Sequence, residues 1–232
     1  MRHIAIYSAV PAIAAIALLS GCSGATGSSA APPTLPSQAL QSAAVQLDAN
    51  AHKGRCGSQN LIQDGDFETP VIPSGTFASF GTGSSLGPWT VIGPPNADVV
   101  LLSTTYGEEG YTYNAESGVQ SIDLTVGANY PSGLQQTVNL QANHRYTLCF
   151  WVGNINDPPT YGPPSSTDIV MVNGQQIMKA TNKRGALDSG VVTWKQFKKT
   201  FVAAGGPTTI SFNNGDPPTD NYNGLDNIEL AP

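Results

Sequence analysis

The stretch Asn60-Leu61-Ile62-Gln63-Asp64-Gly65-Asp66-Phe67-Glu68-Thr69-Pro70 decides how this chain is to be read. It has an apolar entry, an Asp-Gly turn signal and an aromatic set between acids. The chain's last residues answer it with Asn223-Gly224-Leu225-Asp226-Asn227-Ile228-Glu229-Leu230. We expect these two ends to meet in one antiparallel β-sandwich and to hold a metal ion between them. Asp66, Glu68 and Asp226 are the candidate ligands. Asp226 shares its parity with Ile228 and Leu230, which aims it at the interior or its edge. A buried carboxylate must be paired or bound to a metal, and hard oxygen ligands suit Ca²⁺. The rival reading is a carboxylate held by backbone amides or by a salt bridge.

Between the two ends the apolar period is two or irregular, with no sustained helical spacing. Strands are expected at 88–92, 98–102, 118–124, 134–140 and 144–152. Further strands are expected at 168–177, 194–203, 208–213 and 225–230. In the clearest, Tyr146, Leu148, Phe150 and Val152 share one face, and Thr147, Cys149 and Trp151 the other. Val172-Asn173-Gly174-Gln175 is a hairpin signal. Many short strands between turn signals indicate a sandwich or barrel. Trp89, Phe67, Tyr146, Trp194 and Phe201 are expected in the core.

Of 232 residues, 40% are apolar, enough for a sizeable core, while only 11% are charged. The 25 glycines and 18 prolines suit turns rather than helices. A net charge of −6 lacks the basic footprint of nucleic-acid binding.

Arg2 and His3 precede an apolar run, 4–19, that ends in Leu19-Ser20-Gly21-Cys22. The run is short for a membrane span and has the form of a signal peptide. Its end resembles the bacterial lipobox, which implies acylation of Cys22 and anchoring to a membrane. With Ser23 next, the resemblance implies the outer membrane or cell surface. Residues 22–59 are rich in Ser, Ala, Gly and Pro and form a tether. The expected organisation is therefore a signal at 1–21, a tether at 22–59 and one domain at 60–232.

Across that domain the motifs come in a consistent order. They are Asn60-Leu61-Ile62 with Gly65-Asp66-Phe67-Glu68, Pro88-Trp89, Ser121-Ile122-Asp123-Leu124 and Leu134-Gln135-Gln136-Thr137. Tyr146-Thr147-Leu148-Cys149-Phe150, Trp194 with Phe197 and Phe201, and Leu225-Asp226-Asn227-Ile228 follow. The set resembles galactose-binding-like jelly-roll domains. It is similar to the cell-wall proteins of domain of unknown function 642 and to xylan- and glucan-binding carbohydrate-binding modules. Asp64 departs from the pattern, standing where the family has Asn. The resemblance implies a structural calcium held by Glu68 and Asp226.

Trp151, on the face opposite Phe150, is the candidate sugar platform. Tyr106, Tyr111, Tyr113, Tyr161 and Tyr222 are candidate rims, set in three long polar loops of a kind that often carries function. The rival reading covers Trp151 with the loop that follows it. Cys56 and Cys149 are expected to pair outside the cytoplasm, bringing the start of the domain to the face of Trp151. His144 stands at a strand start and is expected at the surface. No His-Glu-x-x-His motif occurs.

The expected function is non-catalytic polysaccharide binding by a surface-anchored lipoprotein. The alternatives are an adhesive envelope protein without a sugar site and a glycan-active enzyme using the acids of the loop at 103–117.

Overall fold

Two six-stranded antiparallel sheets pack face to face in the computed structural model of the chain. Residues 56–125, 131–157, 165–217 and 222–232 are described. The signal segment, most of the tether, Cys22 and Tyr161 lie outside them. The strands are β1 Phe77–Gly81, β2 Ser85–Leu86, β3 Trp89–Ile92, β4 Asp98–Ser103, β5 Gly107–Glu108, β6 Tyr111–Thr112 and β7 Gln120–Asp123. They continue with β8 Gly133–Leu140, β9 Arg145–Asn154, β10 Ser166–Val172, β11 Gln175–Asn182, β12 Thr193–Val202, β13 Gly206–Asn214 and β14 Gly224–Ala231. The first sheet has the order β1-β4-β7-β14-β9-β12 and the second β11-β10-β13-β8-β3-β2, while β5 and β6 form a separate hairpin.

Alternation sorts the side chains as expected. Tyr146, Leu148, Phe150 and Val152 of β9 enter the core between the sheets, with Ile122, Leu225 and Leu230 beside them. Trp89 and Phe212 meet them from the second sheet, at the 6.3 Å ring separation of an edge-on aromatic pair. The Asn173-Gly174 turn joins β10 to β11, with φ of 49° and 76°, the two positive values that a two-residue hairpin requires.

The two ends of the chain do meet. Leu61 N–H donates to Leu230 O at 2.8 Å, Ile228 N–H to Gly65 O at 2.8 Å, and Leu230 N–H to the Asn60 side chain at 2.9 Å. Gly65 permits this approach, because a Cβ there would run into the Ile228 carbonyl. Trp89 seals the turn from below, its Nε1–H donating to Asp64 O at 2.8 Å.

Trp194 corrects an expectation. It is half-buried on the outer face of the first sheet, in a second apolar cluster with Val100, Leu102, Tyr111, Tyr113, Ile155, Val192 and Tyr222. Facing glycines make room for it: a Cβ on Gly153 or Gly224 would strike the Trp194 ring. Phe201 packs half-buried against the main core, and His144 is exposed.

Candidate functional site

The outer face of the first sheet, away from the core, gathers most of the candidate residues. Trp151 of β9 stands there, paired in register with Asp226 of β14 on one side and Gln196 of β12 on the other. Its ring is half-buried and its Nε1–H has no hydrogen-bond partner. Sequence parity had placed Asp226 with Ile228 and Leu230. The ladder shifts by one residue between Asp226 and Glu229, and Asn227 takes a left-handed φ of 48°. Such a bulge reverses the alternation, so Asp226 shares the outer face with Trp151 while Ile228 stays in the core.

Asp226 is nevertheless fully buried, because the segment after β6 folds over it. Glu116 N–H and Ser117 N–H donate to its Oδ2 at 2.8 and 3.0 Å, and Asn227 N–H to its Oδ1 at 2.7 Å. Burial pushes its carboxyl well above the ordinary range; these amides oppose the rise and the nearby Glu116 adds to it. Glu68 anchors the same segment two residues on, its Oε1 accepting from Val119 N–H at 2.7 Å and Gln120 N–H at 3.0 Å. Burial raises Glu68 as well. Glu116 accepts from the Asn227 amide at 2.8 Å.

The expected metal ligands are thus close in the fold but are not set around a common point. Asp226 and Glu68 spend oxygens on backbone amides, which is the rival reading of the sequence. Asp66 opens instead onto a cleft of about 240 Å³ lined by Asn60, Asp64, Ser117, Asn227 and Glu229. Among the described residues no three His, Cys, Asp or Glu side chains group in a way that holds a metal. The donor set at the chain ends does not fit a calcium ion as it stands.

The tyrosines do not form an open rim. Tyr111, Tyr113 and Tyr222 are buried in the second cluster, and Tyr106, half-buried, packs on Tyr113 at 5.4 Å between ring centres. Tyr106 donates its hydroxyl to Glu108 at 2.8 Å. The segment carrying them is pinned to β12 through Asn114, whose backbone carbonyl accepts from Trp194 Nε1–H at 2.8 Å. An apolar outer face needs such a cover, and loop tyrosines supply it.

Cys56 and Cys149 are joined by a disulfide with Cα atoms 5.8 Å apart. Cys149 sits on the outer face two residues from Trp151, so the start of the domain reaches that face as expected. Cys56 N–H also donates to Glu229 Oε2 at 2.7 Å.

The family model for the HpiC1 cyclase matches residues 58–231. The chain belongs to the HpiC1-like family. No curated protein matches it. Among solved structures it is similar to TmCBM61 in complex with β-1,4-galactotriose, at 18% identity over 75% of this chain and 98% of that one, TM-score 0.46. It is also similar to the K2 cleaved adhesin domain of Lys-gingipain, at 15% identity, 72% and 96% coverage and TM-score 0.45. A family 35 carbohydrate binding module from Clostridium thermocellum gives 12%, 67% and 97%, and 0.38. Each is a likeness of fold.

Proposed function

We propose that this HpiC1-like chain is a lipid-anchored envelope protein whose sandwich binds a polysaccharide without catalysis. Trp151 carries the reading. Its indole stands half-buried on the outer sheet face, and its N–H lacks an acceptor. A partly exposed ring that can stack on a sugar is what such a site needs; the N–H itself lies out of reach of solvent. Leu19-Ser20-Gly21-Cys22 supports the anchor at Cys22 and an envelope location. The test is retention of the full chain, made soluble by Cys22→Ser, on a panel of insoluble polysaccharides. Folded protein that passes every matrix unretained overturns the reading.

A second reading, a ring-closing enzyme, is favoured by the family's description and by one observation. Asp226, whose carboxyl burial holds well above its ordinary range, lies directly across the ladder from Trp151. A carboxyl that keeps its proton can act as a general acid beside an aromatic wall. On this reading Asp226→Asn removes turnover and leaves polysaccharide retention untouched.

A further inference from the structure

Charge is unevenly spread over the sandwich. Every lysine and arginine after residue 56 lies between Arg145 and Lys199, in a stretch with only three acids, Asp157, Asp168 and Asp188. Residues 56–144 and 200–232 carry acids and neither lysine nor arginine. The basic stretch includes β9, β11 and β12, and β11 and β12 are end strands of the two sheets. Lys195 joins those two, its Nζ donating to Thr181 O at 3.3 Å. Positive charge therefore gathers along one side of the fold.

A lysine on an edge strand has a plain role, which is to discourage a further strand from pairing. Lys195 has a second one, since its ammonium stands 4.6 Å from the centre of the Phe197 ring. Neither role accounts for Arg145 and Lys198, which are both exposed. Arg145 belongs to β9, an inner strand of its sheet. Lys198 of β12 stands opposite Cys149, so alternation puts it on the outer face with Trp151.

These residues make a strip. Its rows across β9 and β12 are Trp151 with Gln196, Cys149 with Lys198, Thr147 with Thr200, and Arg145 with Val202. The Thr147 and Thr200 hydroxyls meet at 3.2 Å in an exposed position. At the rise of an extended strand, Trp151 and Arg145 are about 20 Å apart. The cross-strand neighbours of Lys198 and Arg145 in these rows, Cys149 and Val202, carry no charge. On β14 the row of Lys198 continues to Glu229, which spends Oε2 on Cys56 N–H.

We propose that this strip binds an anionic polysaccharide, one sugar ring on Trp151 and the acid groups of the chain at Lys198 and Arg145. The inference rests on the polysaccharide reading of Trp151 and adds the class of glycan. An aromatic plane takes many sugar rings and selects little among them. Two cations at a set spacing select for charge. With a net charge of −6 the molecule as a whole repels a polyanion, so a local basic surface is what admits one. Arginine can grip a carboxylate through two parallel N–H bonds, and lysine acts as a point charge. The threonine hydroxyls between them can donate to and accept from sugar hydroxyls.

The test passes the full chain carrying Cys22→Ser over agarose beads bearing polygalacturonate, the same polymer methyl-esterified, dextran sulfate or dextran. Retention should be at least tenfold greater on a charged polymer than on its neutral counterpart. It should fall as NaCl rises, because exposed charge pairs are screened. Preference for polygalacturonate alone assigns carboxylate groups, and for dextran sulfate alone sulfate groups; either supports the proposal. Arg145→Gln with Lys198→Gln should lose the preference for charge, at an unchanged melting temperature. Lys179→Gln with Lys183→Gln removes as much charge off the strip and should bind as wild type does. Lys179 serves as this control because it is on the second sheet, next to the core residue Ala180, and so faces away from the strip. Equal retention on charged and neutral polymers would overturn the inference and leave polysaccharide binding standing. An equal loss in both double variants would show unspecific attraction and overturn it too. Protein that passes every bead but sediments with phosphatidylglycerol vesicles through Arg145 and Lys198 would make the strip a membrane face, against both readings.

Discussion

Trp151 and Asp226 face each other across the β9–β14 ladder, on the side of the sheet turned away from the core. One is half-buried with a free ring N–H; the other is fully buried under three amides. The pair separates binding from stability, because the two side chains answer to different surroundings.

Trp151→Ala should act on binding. A single aromatic anchor contributes about 2 kcal/mol or more where it packs on a ligand. Retention on the bound polysaccharide should therefore fall at least tenfold, with the melting temperature nearly unchanged. Loss of folding would instead identify Trp151 as part of the second apolar cluster. Unchanged retention would move the site elsewhere.

Asp226→Ala should act on stability. It strips acceptors from Glu116, Ser117 and Asn227 N–H at once. Buried donors left without partners should cost about 3–4 kcal/mol in urea unfolding. Asp226→Asn keeps one acceptor oxygen and should cost roughly 1 kcal/mol. If both variants unfold at the wild-type midpoint, water replaces the carboxylate and the loop over it is not held by Asp226.

The disulfide closes a loop with a sequence separation of 93. In the chain-entropy model a loop of that size stabilises by about 4–5 kcal/mol. Cys149→Ala should lower the unfolding free energy by that order, and a reductant should then have no further effect. The Asn60 bonds to β14 remain in the variant, so the fold should survive. A loss under about 1 kcal/mol would mean that those bonds already hold the segment in place.

Most of this architecture was legible in the alternation of β9 and in the Asn-Gly turn, since a period of two is a direct image of burial. Strand β1 was not, because Phe77–Gly81 lies at a sheet edge where the inward Ala78 and Phe80 are only half-buried and the outward Phe77 is itself apolar, which blurs the alternation in the sequence. The side taken by Asp226 was misread for a local reason: parity fails across a bulge, and Asn227 announces one only weakly. The tyrosine loop was misread for a global one. Sequence shows that Tyr111 and Tyr113 are near an outer face, but not that the face carries an apolar cluster needing cover. Asp168 fell inside an expected strand with the parity of Val170 and Val172. That alternation alone would have flagged a carboxylate aimed at the core.

Stability should depend on pH through Asp123. Burial pushes its carboxyl from an ordinary 3.8 up to about 6. The Asn223 and Thr125 N–H groups and the Thr125 hydroxyl oppose that rise, and the charge of Asp98 adds to it. The fold therefore favours the protonated acid. Its stabilising contribution is complete below about pH 4 and is lost as pH rises through about 6. A rise of that size corresponds to about 3 kcal/mol between those limits. In chelator the wild type should thus lose stability from about pH 3.5 to about pH 7. Other buried carboxyls bend the curve the same way, so the informative quantity is the difference from Asp123→Asn. An asparagine keeps an acceptor for Asn223 and Thr125 and carries no titrating proton. Its unfolding free energy should change less over that range, by up to about 3 kcal/mol. Parallel curves for the two proteins would show that Asp123 is solvated in solution and titrates as an ordinary carboxylate.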